Sequence, residues 1–139
     1  MWVARKHNGM LLYLELISDN HEHTFLPIFT TPDIAINFIG DIKFDGEFIT
    51  LINIIEISLL KELIMDIYHR EADLILDPPN MEKGGDGQLV CWTREEFAEM
   101  LDQIIKMGEQ YGDEKAIIVL NNYLRERSRI SLIPVRKHS

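Results

Sequence analysis

The sequence predicts an α+β domain over residues 1–139, with a mixed β-sheet, an N-terminal β-hairpin and three to four helices packed on the sheet. Three observations carry this reading. Turn signals separate runs of strand-like residues, capping residues precede segments of helical period, and the two kinds of segment alternate without a repeat or linker. The length of 139 residues fits one ordinary domain, and 46% hydrophobic against 27% charged residues is a globular balance.

Asn8-Gly9 lies between Trp2-Val3-Ala4-Arg5-Lys6 and Met10-Leu11-Leu12-Tyr13-Leu14, which predicts a hairpin with a type I′ turn. Phe25-Leu26-Pro27-Ile28-Phe29 reads as a strand, pushed toward an edge or an irregular entry by the missing N–H of Pro27. Thr31 then caps a short helix that begins with Pro32, buries Ile34, Ala35 and Phe38, and stops at Gly40. After a turn at Asp45-Gly46, Phe48 to Ile55 forms a β-branched strand. Ser58 is expected to cap the next helix, whose Leu59, Leu60, Leu63, Ile64, Ile67 and Tyr68 repeat at helical spacing. Ala72 to Leu76 forms a further strand, ended by Asp77-Pro78-Pro79.

Gln88 to Trp92 predicts another strand. Thr93-Arg94-Glu95-Glu96 is a capping box, with Trp92 and Phe97 as its hydrophobic staple. That helix runs through Leu101, Ile104 and Ile105 to Gly108 or Gly112. The segment 115–124 is ambiguous. Its β-branched residues favour a strand, whereas Ala116, Leu120, Tyr123 and Leu124 fit a helix face, and helix is the reading adopted. A last strand is expected around 130–133.

The chain resembles the SseB N-terminal-domain-like family over residues 24–105. The residues that carry the resemblance are Phe25-Leu26-Pro27-Ile28-Phe29-Thr30-Thr31 before a helix, the helix starting Ser58-Leu59-Leu60-Lys61-Glu62-Leu63, and Ala72-Asp73-Leu74-Ile75-Leu76-Asp77-Pro78. Asp77 stands where the family has Asn before Pro; as a turn-former Asp can replace Asn, but a recognition role of the amide does not carry over. The resemblance implies a binding or accessory domain with no established reaction, and with the other features it places the chain in the bacterial cytoplasm.

Fourteen basic and twenty-three acidic side chains give a net charge of −9, which argues against nucleic acid and anionic membranes as partners. The opening residues lack an apolar signal segment, and Cys91 is the one cysteine, so a reducing compartment is expected. Arg125, Arg127, Arg129, Arg136 and Lys137 make a basic end, read mainly as solvated surface. His21-Glu22-His23 places two imidazoles on one side of an extended segment, but two ligands are too few for a structural zinc site. Gly84-Gly85-Asp86-Gly87 lacks the Lys-Ser/Thr of a phosphate loop. No catalytic set and no cofactor motif is found.

The long loop 77–87 is the candidate interaction surface, through Asp77, Pro78, Pro79, Asn80, Met81 and Asp86, because long loops are often functional. The expected function is a non-catalytic protein-interaction or accessory domain with a protein partner, possibly a basic one. Alternatives are an immunity protein that neutralises a basic toxin, a ligand binder or enzyme using carboxylates near Asp73 and Asp77, and a homo-oligomer joined along an edge strand, either the Pro27 strand or the hairpin.

Overall fold

The computed structural model describes residues 1–18, 21–41, 49–78 and 90–129. Its elements are β1 (Trp2–Lys6), β2 (Leu14–Ser18), β3 (His21–Ile28), α1 (Pro32–Asp41), β4 (Ile49–Asn53), α2 (Ile57–His69), β5 (Asp73–Leu76), β6 (Val90–Trp92), α3 (Arg94–Tyr111) and α4 (Asp113–Arg129). The fold is mixed α+β. Strands run in the order β2-β3-β5-β6, with β3 and β5 parallel and the outer pairs antiparallel, and β1 pairs antiparallel with β4. Trp2 and Phe29 join the two sheets by exchanging N–H···O bonds of 2.8 and 2.9 Å.

Period-two alternation assigns neighbouring side chains to opposite layers. Trp2, Phe29 and Leu51 face α1, where Ala35 and Phe38 are buried. Val3, Leu26, Ile28, Leu74 and Leu76 face the larger core with Leu60, Leu63 and Ile67 of α2, Phe97 and Leu101 of α3, and Leu120 and Leu124 of α4. Each such fully buried large side chain contributes about 1.5–3 kcal/mol of hydrophobic stabilisation.

Several local expectations are met. The Thr31 hydroxyl accepts from Ile34 N–H at 3.3 Å, and the Thr93 hydroxyl accepts from Glu96 N–H at 3.2 Å. The Trp92 and Phe97 rings pack with centroids 5.8 Å apart. The ambiguous segment is helical throughout, because Ala116, Leu120 and Leu124 are fully buried along one face and outweigh the weak helix preference of Ile117, Ile118 and Val119.

Others are corrected. The hairpin turn is a three-residue loop, His7-Asn8-Gly9, closed by Gly9 N–H to Lys6 O at 3.0 Å and Lys6 N–H to Met10 O at 2.8 Å. Gly9 alone has positive φ, at 87°, so the turn is not type I′. Beyond the turn only Arg5 and Leu11 form a bridge, and the regular partner of β1 is β4.

Pro27 lies in a central strand, not an edge strand. N–H groups alternate sides along a strand, so position 27 faces the same way as Phe29, whose N–H reaches Trp2. The ladder with β2 ends at Leu14 and Phe25, and the contact with β1 begins at Phe29. The missing donor thus falls between two partners and leaves no bond broken. Around Pro27 the strand has β5 on one side and β2 and then Trp2 on the other, so this part of β3 is not open to edge pairing with a second copy.

Helix α2 starts one residue before Ser58, and Glu56 at the cap position makes no side-chain capping bond. The Asp113 carboxylate, from the start of α4, accepts from Ile57 N–H at 3.3 Å instead. Helix α1 passes through Gly40 to Asp41. Helix α3 ends at Gly112, with φ 100°. Gly108 is a packing residue, since a Cβ there would lie 1.8 Å from Ile57 Cδ1. The expected turn at Asp45-Gly46 and the strand at 130–133 lie outside the described residues.

Candidate functional site

A groove of about 260 Å³ is lined on one side by Val3 of β1, Ile52 of β4 and Ile54 just after it, and on the other by α2. Strand alternation sets one wall. Val3 and Arg5 share a face, and Val3 lies opposite Ile52 in the ladder. Helical spacing sets the other, because Leu59, Leu63, Asp66 and Arg70 succeed one another at intervals of three or four residues, with Glu62 beside them four residues before Asp66. The three-residue turn closes one end with Gly9, Met10 and Leu11.

The charges of this groove differ in how far the fold occupies them. Asp66 accepts the hydroxyl hydrogen of Tyr13, which fastens the chain after the turn to α2. Burial, with Asp66 acting in the same direction, raises the Tyr13 pKa above its ordinary value of 10.0. The Arg70 guanidinium lies over the Tyr13 ring, 5.5 Å from its centroid, and donates to the Met10 sulfur at 3.4 Å. Among the described residues, Arg5, Arg70 and Glu62 have no opposite charge within 4.0 Å. The groove therefore combines an apolar floor with guanidinium groups that are held or exposed but not neutralised.

The carboxylates singled out from the sequence lie elsewhere. Asp77 has φ 44°, and its carboxylate accepts from Thr30 N–H at 2.8 Å and Thr30 Oγ1 at 2.7 Å, which ties the end of β5 to the end of β3. Asp73, at the start of β5, accepts from Arg94 N–H at 3.0 Å, with the Arg94 side chain 3.7 Å away. Four residue steps along the strand separate them, about 13 Å, and each carboxylate serves its own end. Pro78 is buried. Pro79, Asn80, Met81 and Asp86 lie outside the described residues.

Cys91 is half-buried in β6, and burial, then Asp73, pushes its thiol pKa up. His21 and His23 are exposed on β3, and among the described residues no third His, Cys, Asp or Glu joins them in a metal-binding group. At the basic end, Arg125 donates to Asn121 O and Asn122 Oδ1, and Arg127 lies 5.7 Å from the Trp92 ring centroid. No described helix is long and apolar enough to cross a membrane.

The groove went unseen in the sequence, although one signal was present. Glu62, Asp66 and Arg70 are spaced by four residues along the margin of the apolar stripe of α2. The pairing of β1 with β4, which builds the opposite wall, has no local signature. No family model matches the chain, and no curated protein does.

Proposed function

We propose that this chain is a non-catalytic protein-interaction or accessory domain that engages its partner through the groove between α2 and the β1/β4 pair. The observation that carries the reading is an apolar floor beside Arg5 and Arg70, neither of which the fold neutralises. Desolvated apolar anchors give affinity at an interface, and unpaired rim charges give selectivity. The resemblance to the SseB N-terminal-domain-like family supports the same role. The groove is preferred here as the contact surface; of the 77–87 loop candidates Asp77 and Pro78 are committed to the fold, and the other four lie outside the described residues.

The test is affinity recovery of a partner with wild-type chain, Glu62→Lys, Arg70→Glu and, as a control on the outer side of α3, Lys106→Glu. Circular dichroism checks that each variant is folded. Both groove variants are expected to lose the partner that the control retains. Equal recovery by all four sinks the proposal.

A further inference from the structure

We infer that His21 and His23 are half of a divalent-metal site, which two copies of the chain complete by pairing the open edges of β3. The site lies apart from the groove, whose lining contains no residue of β2 or β3. His21 and His23 are alternate residues of one strand, so their imidazoles share a face, about 7 Å apart along the chain. Both are exposed, and neither makes an ion pair among the described residues. Leu16 lies opposite His23 in the ladder, and the Phe25 ring centroid is 6.4 Å from that of His23, which gives the face an apolar flank. Zinc takes imidazole nitrogen as a ligand, and a structural zinc site is closed by four ligands. Among the described residues no third His, Cys, Asp or Glu joins the pair within the chain.

The fold leaves open the edge that brings a second pair. β2 pairs with β3 from His21 to Phe25, whereas β5 pairs with it only from Phe25 to Ile28. On the β5 side, His21 to Thr24 therefore have no strand partner among the described residues. An unpaired edge is a template for another strand. Two such edges, run antiparallel about a twofold axis at Glu22, set His21 opposite the partner's His23 and His23 opposite the partner's His21. Residues opposed across antiparallel strands lie on one face, with Cβ atoms about 4.5–5.5 Å apart. All four imidazoles then stand on the same side of the joined sheet.

Charge makes this pairing conditional on the metal. Each chain carries −9, and the same register opposes Glu22 to its own copy on the other face. Like charges directly opposed across strands are destabilising. A divalent cation offsets that repulsion and ties the two histidine pairs together, so the edge stays single without it.

Sedimentation velocity of the full chain, stripped with chelator and then titrated with zinc chloride at neutral pH, tests the inference. The stripped chain is expected to be a monomer at micromolar concentration and to become a dimer that saturates at about one zinc per two chains. His21→Ala and His23→Ala are each expected to abolish the dimer, and His69→Ala, at an exposed histidine of α2, to leave it unchanged. Glu22→Gln removes the opposed charges and is expected to tighten the zinc dimer about twofold to fivefold. Circular dichroism checks that each variant is folded. A dimer in chelator, zinc bound without dimerisation, no binding at micromolar zinc, or a zinc dimer that survives both His21→Ala and His23→Ala overturns the inference. So does a dimer lost equally in His69→Ala. A Glu22→Gln dimer no tighter than wild type overturns the edge pairing.

Discussion

The carboxylates that flank β5 and the charges that line the groove are both conspicuous in sequence, but the fold uses them differently. Asp73 and Asp77 each accept backbone N–H groups from distant segments, Arg94 in one case and Thr30 in the other. Arg5 and Glu62 make no ion pair among the described residues. A charged side chain that satisfies an otherwise unpaired backbone donor is part of the framework; one that satisfies nothing is free to meet a partner. Substitution can separate the two classes, because framework charges appear in stability and groove charges in binding.

The largest effect is expected at Asp77. Replacing it with Ala removes two charge-assisted bonds to Thr30 and strands a partly buried N–H, at a cost of about 2–3 kcal/mol in urea denaturation. Asp77→Asn keeps one acceptor and tolerates the positive φ, so its loss should be well under half of that. An Asp77→Ala chain as stable as wild type would move Asp77 into the free class and restore it as an interaction candidate. Asp73→Ala is next, at about 1–2 kcal/mol, because it removes the acceptor for the first N–H of α3.

Much of the framework was legible because its causes are local. Thr31 before Pro32, Thr93 before Glu96 and Trp92 beside Phe97 act within one turn of helix: both threonine hydroxyls accept the N–H three residues on, and the two rings pack together, as their spacing predicts. What was missed is long-range. Ser58 is a good local cap, but Asp113 arrives from α4 and serves the helix start instead. Pro27 reads as an edge residue until β2 and β1 are seen to leave a gap opposite it. The groove joins Arg5 to Arg70 across a strand pairing that no adjacent turn announces.

Tyr13 lies between the two classes, since its bond to Asp66 is structural and its ring positions Arg70. Tyr13→Phe should cost about 1 kcal/mol at neutral pH. It should also change the alkaline limb of stability. The folded Tyr13 keeps its proton above the ordinary tyrosine value of 10.0, whereas the unfolded one releases it. Above that pH the unfolded state binds fewer protons, so stability is fully present below pH 10 and falls as pH rises further. Thermal melts across that range should show a shallower fall for Tyr13→Phe than for wild type. Identical slopes would remove Tyr13 from the framework.

The smallest effects on stability, and the most telling, are expected at Arg5 and Glu62. Both are exposed and neither is paired among the described residues, so Arg5→Gln and Glu62→Gln should each shift the unfolding free energy by less than about 0.5 kcal/mol. Both should nevertheless weaken groove-dependent partner recovery, with the difference from wild type shrinking as salt is raised. Substitutions that change recovery while leaving stability alone cannot be acting through the fold. A stability loss above about 1 kcal/mol at either position would instead join that residue to Asp73 and Asp77, and the distinction between framework and groove charges would no longer hold there.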